Sequence, residues 1–470
     1  MRARPTLTAY GLIRPPPSTA TSLICSQCLL HRTSSPSLSL PLPRLPHASR
    51  SYHPTRRKNH STLSSAVSAA QNLFTSKPPP PPTNVSIDPL RLVGNELKFL
   101  KKNIRQLLGS GHPLLDRVAK YYAASEGKQV RPLLVLLMSQ ATALAPKSPR
   151  DVPFISTAAS INEAISSPAI LADTNPDASP LTSSATEASY SLEGSTGEEG
   201  GMATTVLPSQ RRLAEITELI HTASLLHDDV IDNAVTRRSA VSANLEFGNK
   251  MAVLAGDFLL GRASVALARL RDPEVIELLA TVIANLVEGE FMQLKNTAHD
   301  EKNPVWTEDT IAYYLQKTYL KSASLISKSC RGAALLGHSA PEVVEAAYSY
   351  GRNLGLAFQL VDDMLDYTVS GEELGKPAGA DLELGLATAP LLFAWKEFPE
   401  LGRLVGRRFG REGDVALARQ IVSQSSGLEQ TRALAQEYAD KAVASLAGLP
   451  DSDAKAGLVE MCTKTMRRRK

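Results

Sequence analysis

Two short acidic motifs could carry chemistry, because each places carboxylates one helical turn apart. They occupy residues 228–232 (DDVID) and 362–366 (DDMLD). Side chains four residues apart lie about 5–6 Å from each other on a helix. Such carboxylates repel unless a cation joins them, and Mg²⁺ usually takes one or two carboxylates together with substrate phosphates. One motif alone would favour a solvated helix face, but two copies predict a cavity in which Mg²⁺ ions hold a diphosphate.

The segments that carry these motifs are predicted to be helices. Residues 211–232 place apolar side chains at helical spacing, among them Leu213, Ile220 and Val230. Residues 355–367 do the same, with the acids on another face. Apolar residues next to the acids predict a cavity that is polar at its mouth and hydrophobic below. A substrate with a charged head and a hydrocarbon tail would fit such a cavity.

Basic residues accompany both motifs. Lys128 and Arg131 precede an apolar run, Arg237 and Arg238 follow the first motif, and Lys376 follows the second. The Arg fork matches phosphate oxygens, and Lys serves as a point charge. Each residue alone would favour a surface charge, but together with the acids they predict diphosphate binding. The segment around Lys376 is not a P-loop, because the GxxxxGK[ST] frame is missing.

These motifs occur in the order found in one family. The set GKQVRP, LIHTASLLHDDVID followed by TRR, and GLAFQLVDDMLDY followed by GKPAGADLELGLATAP resembles the trans-isoprenyl diphosphate synthases. Within that family it is most similar to the mitochondrial long-chain (hexaprenyl to decaprenyl) polyprenyl diphosphate synthases of ubiquinone biosynthesis. The resemblance covers residues 88–145 and 205–470. It implies an all-α, isoprenoid-synthase-type helical bundle around a deep central cavity, usually as a homodimer.

The resemblance also assigns roles to residues at the cavity mouth. It implies Mg²⁺ as the cofactor, with the two acidic motifs facing each other. The metal ligands would be Asp228, Asp229, Asp232, Asp362, Asp363 and Asp366. Isopentenyl diphosphate would contact Lys128, Arg131, His221 and Arg238, the allylic diphosphate would contact Arg237, and further substrate contacts would come from Lys321, Ser322, Gln359 and Lys376. The residues expected to matter most for catalysis are Asp228, Asp232, Asp362, Lys321 and Arg237.

The implied reaction is a Mg²⁺-dependent prenyl transfer. An allylic diphosphate, farnesyl or geranylgeranyl, ionises to a carbocation, isopentenyl diphosphate attacks it, and a proton is lost. Each cycle adds one five-carbon unit to an all-trans chain. Bulky aromatic residues four or five positions before the first motif would block the cavity in short-chain members. This chain has Ala223 and Ser224 there, which favours a long product.

Three other functions stay open at this point. A geranylgeranyl diphosphate synthase would share the motifs, although the small residues and the N-terminal segment disfavour it. A non-catalytic subunit of a heteromeric synthase would usually lose one acidic motif, and this chain keeps both. A metal phosphohydrolase would use His227 and Asp228 as a ligand pair, but it would leave the second motif unexplained.

The N-terminal segment differs in composition from the rest. Residues 1–87 contain no Asp or Glu but have eight Arg and two Lys, with many Ser, Thr and Pro. This composition predicts a mitochondrial transit peptide that ends in a Pro-rich linker, with a disordered basic tail as the alternative. The expected location is the mitochondrial matrix, with association to the inner membrane left open. Residues 88–470 would form the synthase domain.

Composition narrows the remaining possibilities. Residues 146–210 are rich in Ser, Ala, Thr, Pro and Gly with little periodicity, which predicts a disordered insertion between two core helices. The chain is 43% hydrophobic with a net charge of +4, much of it from the N-terminus, so a nucleic-acid partner is not expected. No run of 18 apolar residues occurs, so no transmembrane segment is expected. The sequence is compatible with peripheral association with a membrane. A heteromer with a second subunit remains an alternative to the homodimer.

Overall fold

Apolar residues recur at helical spacing along most of the chain, and the chain folds into helices accordingly. The structure, a computed structural model, describes residues 88–124, 129–152, 161, 206–237, 240–294, 304–368 and 379–468. The helices are α1 (Pro89–Leu92), α2 (Gly94–Leu107), α3 (Pro113–Ala124), α4 (Val130–Ala143), α5 (Pro208–Ile231), α6 (Ala243–Phe247), α7 (Asn249–Ala268), α8 (Pro273–Leu294), α9 (Glu308–Thr318), α10 (Ser324–Leu336), α11 (Pro341–Thr368), α12 (Ala380–Glu383), α13 (Ala389–Glu397), α14 (Leu401–Gly406), α15 (Asp414–Gln424), α16 (Gly427–Ser445) and α17 (Asp453–Met466). A π-helical turn, Tyr319–Ala323, joins α9 to α10. The predicted all-α class is confirmed; β1 (Thr236–Arg237) and β2 (Ala240–Val241) add only a short antiparallel ribbon.

Two long helices carry the acidic motifs. Helix α5 packs against α4, α7 and α10, and α11 packs against α10 and α16. Helix α5 begins with Pro208 at its first position, where the missing N–H costs no hydrogen bond. It ends at Ile231, so the first motif lies in its last turns. Both helices bury most of the residues that face the helices packed against them. This burial fixes the rotation of each helix about its own axis, and therefore the direction in which its acidic side chains point.

Helices α10 and α11 approach each other closely because α11 has glycine at the crossing. A Cβ atom added at Gly351 would lie 2.6 Å from Ser327 Cα, and one at Gly355 would lie 2.7 Å from Ala323 Cα. Neither distance is compatible with a real side chain. The second acidic motif begins seven residues after Gly355, so this contact also sets its distance from the π-turn.

The predicted insertion at 146–210 is wrong at both of its ends. Ser148 N donates to His338 O at 2.9 Å, and Arg150 Nη1 donates to Asp272 Oδ2 at 2.6 Å. Ile161 is 1% exposed, and its carbonyl accepts a hydrogen bond from Arg212 Nη2 at 3.0 Å. Residues 206–210 belong to the start of α5 and its approach. The rest of the predicted insertion, and all of residues 1–87, lie outside the described residues.

Arg150 makes a testable contribution to stability. Its guanidinium pairs with Asp272, whose side chain is 4% exposed, and also with Glu274. Arg150→Ala would leave the Asp272 carboxylate buried without its cation, which should cost about 3 kcal/mol of unfolding free energy. Urea unfolding followed by circular dichroism measures this, with the exposed Arg432→Ala as control. Equal midpoints for the two variants would contradict the expectation.

Helix α7 departs from the sequence-based expectation about membranes. By length and composition it is apolar enough to span a bilayer, with a mean hydropathy of 1.5 over its most apolar window. A core helix of a globular protein meets the same criterion, and α7 packs along α5. It also exposes large apolar side chains, Leu254 among them at 56%.

Candidate active site

The first acidic motif divides its carboxylates between two environments. Asp228 and Asp232 are partly exposed at the end of α5, whereas Asp229 is completely buried. Asp229 Oδ1 accepts hydrogen bonds from Arg237 Nε at 2.8 Å and Nη2 at 2.5 Å, and its Oδ2 accepts from the Tyr122 hydroxyl. Both oxygens of Asp229 are therefore used within the protein. The same contact brings Arg237, a predicted diphosphate ligand, to the motif.

The second motif repeats this division. Asp362 and Asp366 are partly exposed, and Asp363 is 3% exposed. Asp363 Oδ2 accepts from the Tyr314 hydroxyl at 2.6 Å, and its Oδ1 accepts from Gln359 Nε2 at 2.8 Å. In each motif, then, the middle aspartate accepts a hydrogen bond from a buried tyrosine, and the other two aspartates are partly exposed.

Two of the predicted substrate residues belong to this second network. Ser322 Oγ donates to Gln359 Oε1 at 2.7 Å, and the Gln359 amide then donates to Asp363. The serine hydroxyl thus links the π-turn to α11. Together, Ser322 and Gln359 orient the second acidic motif in this structure.

A pair of lysines accompanies the two motifs. Lys321, on the π-turn, is the strongest favourable charge acting on Asp228, and Lys317, one turn earlier on α9, is the strongest charge acting on Asp363. The two ammonium groups also act on each other. Lys317 is 7% exposed. Both α9 and the π-turn pack against α11.

Burial shifts the pKa values of three charged groups at the site toward their neutral forms. Burial raises the pKa of Asp228 to about 7, Lys321 opposes that rise, and Glu290 and Asp232 add to it. Burial likewise raises the pKa of Asp363 to about 6, against the hydrogen bonds from Tyr314 and Gln359. Burial lowers the pKa of Lys317, an effect that Asp363 opposes. The site thus holds carboxylates at a cost that a bound cation would relieve.

The predicted isopentenyl diphosphate residues are only partly described. Arg131 Nη1 and His221 Nε2 lie 2.9 Å apart, so α4 and α5 bring these two together. Ser224, one turn before Asp228, is partly exposed, whereas Ala223 is completely buried. Three predicted ligands, Lys128, Arg238 and Lys376, lie outside the described residues.

Two carboxylates of the second motif have further partners. Asp366 Oδ1 accepts from Ala380 N at 3.2 Å and thereby caps the start of α12. Asp362 Oδ1 lies 2.8 Å from Arg468 Nη1, and the Arg468 guanidinium lies 4.4 Å from the centre of the Phe358 ring. Arg468, which follows α17, therefore lies beside the second acidic motif.

Sequence reasoning missed several residues of the site. Tyr122, Tyr314 and Lys317 each lie on a helix with no acidic or glycine-rich motif of its own. Glu290, whose carboxylate contacts Lys321 at 2.5 Å, lies 58 positions beyond the last residue of the first motif. The basic end of the chain was the one available signal for Arg468. The others become visible only when α3, α8 and α9 pack beside the motifs.

The residues present fit a divalent cation that is shared with a substrate. Among the described residues, no three acidic, His or Cys side chains converge closely enough to hold a metal ion by themselves. Mg²⁺ needs only one or two carboxylates when phosphate oxygens complete its shell. Asp228 and Asp232, one turn apart and partly exposed, could supply such carboxylates. Asp229 and Asp363 are buried, and their oxygens accept hydrogen bonds within the protein.

Comparison with known proteins agrees with this geometry. The sequence family described as Polyprenyl synthetase matches residues 191–422. The chain is 64% identical to the probable mitochondrial hexaprenyl pyrophosphate synthase of Neurospora crassa, over 92% of this chain and 94% of that protein. It is 48% identical to decaprenyl-diphosphate synthase subunit 1 of Schizosaccharomyces pombe, over 81% and 91%. The crystal structure of a Caulobacter crescentus polyprenyl synthase complexed with calcium and isoprenyl diphosphate superposes with a TM-score of 0.63, at 30% identity, over 81% of this chain and 97% of that one.

Proposed function

The chain belongs to the polyprenyl synthetase family, and from that premise we propose how its residues carry out the reaction. It is a trans-prenyltransferase that condenses an allylic diphosphate with isopentenyl diphosphates to make a long polyprenyl diphosphate for the ubiquinone side chain. We propose that farnesyl or geranylgeranyl diphosphate is its primer and that Mg²⁺ is its metal.

Four carboxylates would hold the metal ions. Asp228 and Asp232 would do so on α5, and Asp362 and Asp366 on α11, because these four are the partly exposed acids of their motifs. Bound Mg²⁺ supplies Lewis acidity toward the leaving diphosphate. Asp362 would exchange its Arg468 contact for the cation.

The middle aspartates would position the other groups. Asp229 holds the Arg237 guanidinium at the edge of the first motif, and Asp363 holds Gln359 beside Ser322. Unlike the partly exposed acids of the two motifs, Asp229 and Asp363 are buried. We propose that they orient the motifs and their basic neighbours, and that they are not principal ligands.

The basic residues would stabilise charge that develops on the leaving group. Lys321 and Arg237 lie next to the first motif, so they would donate hydrogen bonds to the allylic diphosphate as its C–O bond breaks. Lys317, which is buried one turn before Lys321, would add further positive charge. Arg131 and His221 would hold isopentenyl diphosphate, together with Lys128 and Arg238. Lys376 would add a further substrate contact, as the family resemblance implies.

Once the diphosphate leaves, the protein would align the two substrates and exclude water. The isopentenyl double bond attacks the allylic cation, the new C–C bond forms, and a proton is lost to restore a double bond. No nucleophilic side chain is needed. The apolar residues below Asp228 on α5 would bury the growing hydrocarbon.

One observation carries this proposal: Lys321 acts on Asp228 of the first motif, Lys317 acts on Asp363 of the second, and the two ammonium groups act on each other. The test incubates the purified full-length protein with Mg²⁺, farnesyl diphosphate and labelled isopentenyl diphosphate. Mass analysis of the dephosphorylated products should give a long all-trans prenol, and EDTA should abolish it. A product that ends at geranylgeranyl would favour the alternative synthase. Activity only after a second protein is added would favour the heteromeric alternative.

We propose that the enzyme is a homodimer through α7 and α8. Exposed apolar side chains on these helices include Leu254 at 56%, Val287 at 52% and Phe291 at 63%. Such a surface is typical of a protein interface, and the family resemblance implies a dimer.

Leu254→Glu should therefore halve the molecular mass measured by light scattering after size exclusion, because a charge would be buried in the interface. Leu417→Glu, at another exposed leucine, is the control. A wild-type monomer, or an unaffected dimer in Leu254→Glu, would contradict this arrangement.

The proposed location is the mitochondrial matrix. Relatives of this chain carry mitochondrial names, including the hexaprenyl synthases of Neurospora crassa and Yarrowia lipolytica. The basic, acid-free composition of residues 1–87 supports import. Fluorescence imaging of the full chain and of a chain without these residues tests the proposal.

A further inference from the structure

The ammonium group of Lys321 is held by a carboxylate that lies outside both acidic motifs. Lys321 Nζ lies 2.5 Å from Glu290 Oε1, and the two side chains are 22% and 14% exposed. A charge-assisted contact between two largely buried groups is stronger than an ion pair on the surface. Glu290 also faces Asp228, whose charge it opposes. A carboxylate so close to an anion-binding site would weaken binding unless it served another group there.

The backbone is built to bring Glu290 to this position. Helix α8 packs against the π-turn that carries Lys321. A Cβ atom at Gly289 would lie 3.1 Å from Lys321 N and 3.2 Å from Lys321 Cβ, closer than most side chains come. Glycine therefore lets α8 touch the π-turn directly, and the next residue on α8 places its carboxylate on the lysine.

The π-turn places Lys321 where a restrained ammonium group would be useful. A π-turn inserts one residue into a helix, and such turns occur frequently at functional sites. Lysine has a long, flexible side chain, so an unrestrained ammonium would lose entropy on binding substrate. Glu290 restrains it through the 2.5 Å contact between Glu290 Oε1 and Lys321 Nζ.

We propose that Glu290 is a positioning residue that holds the Lys321 ammonium beside Asp228, ready for the allylic diphosphate. This inference rests on the proposed function, since it takes Lys321 as a ligand of that diphosphate. It assigns Glu290 no contact with substrate or metal. It also predicts that the isopentenyl diphosphate site, on Arg131 and His221, is indifferent to Glu290.

The test is a double-mutant cycle with Glu290→Gln and Lys321→Met, alone and together. Glu290→Gln keeps the shape of the side chain and removes its charge. We expect it to lower kcat/KM for farnesyl diphosphate about tenfold or more and to leave the KM for isopentenyl diphosphate unchanged. In the Lys321→Met background it should have no further effect, because the group through which it acts is gone. Glu288→Gln, two residues earlier and exposed, is the matched control.

Several results would overturn the proposal. Additive losses in the cycle would show that Glu290 acts independently of Lys321. A rise in the Mg²⁺ concentration needed for half-maximal activity would make Glu290 a metal ligand. Unfolding of both Glu290→Gln and Glu290→Asp, seen by circular dichroism, would make it a purely structural residue. Wild type and Asp228→Ala are assayed from the same preparations, so that failure of the proposed function can be distinguished from failure of this inference. An inactive wild type would contradict the proposed function. An additive cycle in an active enzyme would contradict only the inference about Glu290.

Discussion

Asp228→Ala and Asp362→Ala should each lower kcat by about 10³-fold or more while the protein stays folded. Each substitution removes a carboxylate that we assign to the metal ions, and metal stabilisation of a leaving group contributes several kcal/mol, at about tenfold in rate per 1.4 kcal/mol. The loss should appear in kcat, because the interaction grows as the C–O bond breaks. Single-turnover assays with labelled isopentenyl diphosphate measure it.

Asp228→Ala should also differ from an ordinary destabilising mutation in its effect on the unfolding midpoint. Burial raises the pKa of Asp228, so its ionised form is unfavourable in the metal-free protein. Its replacement by alanine should leave the unfolding midpoint at or above the wild-type value. Asp440→Ala, an exposed aspartate on α16, is the control and should retain full activity. Near-normal turnover in either active-site variant would remove that aspartate from the metal site.

Ser224→Phe should convert the enzyme from a long-chain to a short-chain synthase. Ser224 is one turn before Asp228, partly exposed, and its hydroxyl donates to His221 O at 2.9 Å. Residues four apart lie on one helical face, so a phenylalanine ring there would project below the metal site into the path of the tail. The first condensation should survive because no metal or diphosphate ligand changes.

The readout is the chain length of dephosphorylated products, determined by mass spectrometry. We expect products to stop after one or two additions to farnesyl diphosphate. Ser423→Phe, at an exposed serine on α15, should keep the wild-type length. An unchanged long product from Ser224→Phe would show that the tail leaves by another wall.

The comparison of Ser224 with Ala223 shows where sequence reasoning stopped. Both were predicted to allow a long tail because both are small. Only the packing of α5 against its neighbours distinguishes them, since it buries Ala223 completely and leaves Ser224 on the stripe that bears Asp228. A substitution at Ala223 would therefore disturb the core as well as the channel.

Local sequence was sufficient for the fold class, the helices of the two acidic motifs and the family. The physical reason is that helical periodicity and carboxylates at four-residue spacing are properties of a single segment, and they need no partner to be recognised. The same holds for the acid-free N-terminal composition that suggests mitochondrial import.

Tertiary structure alone decided which acids are buried and which are partly exposed. Asp229 and Asp363 look like their neighbours in the sequence, yet the hydroxyls of Tyr122 and Tyr314 reach them from helices more than 45 positions away. The same is true of Glu290, which reaches Lys321 only because Gly289 lets two helices touch. Local patterns show what a side chain could do, but its partners depend on which distant helices pack beside it, because burial and hydrogen bonding are set by the whole bundle.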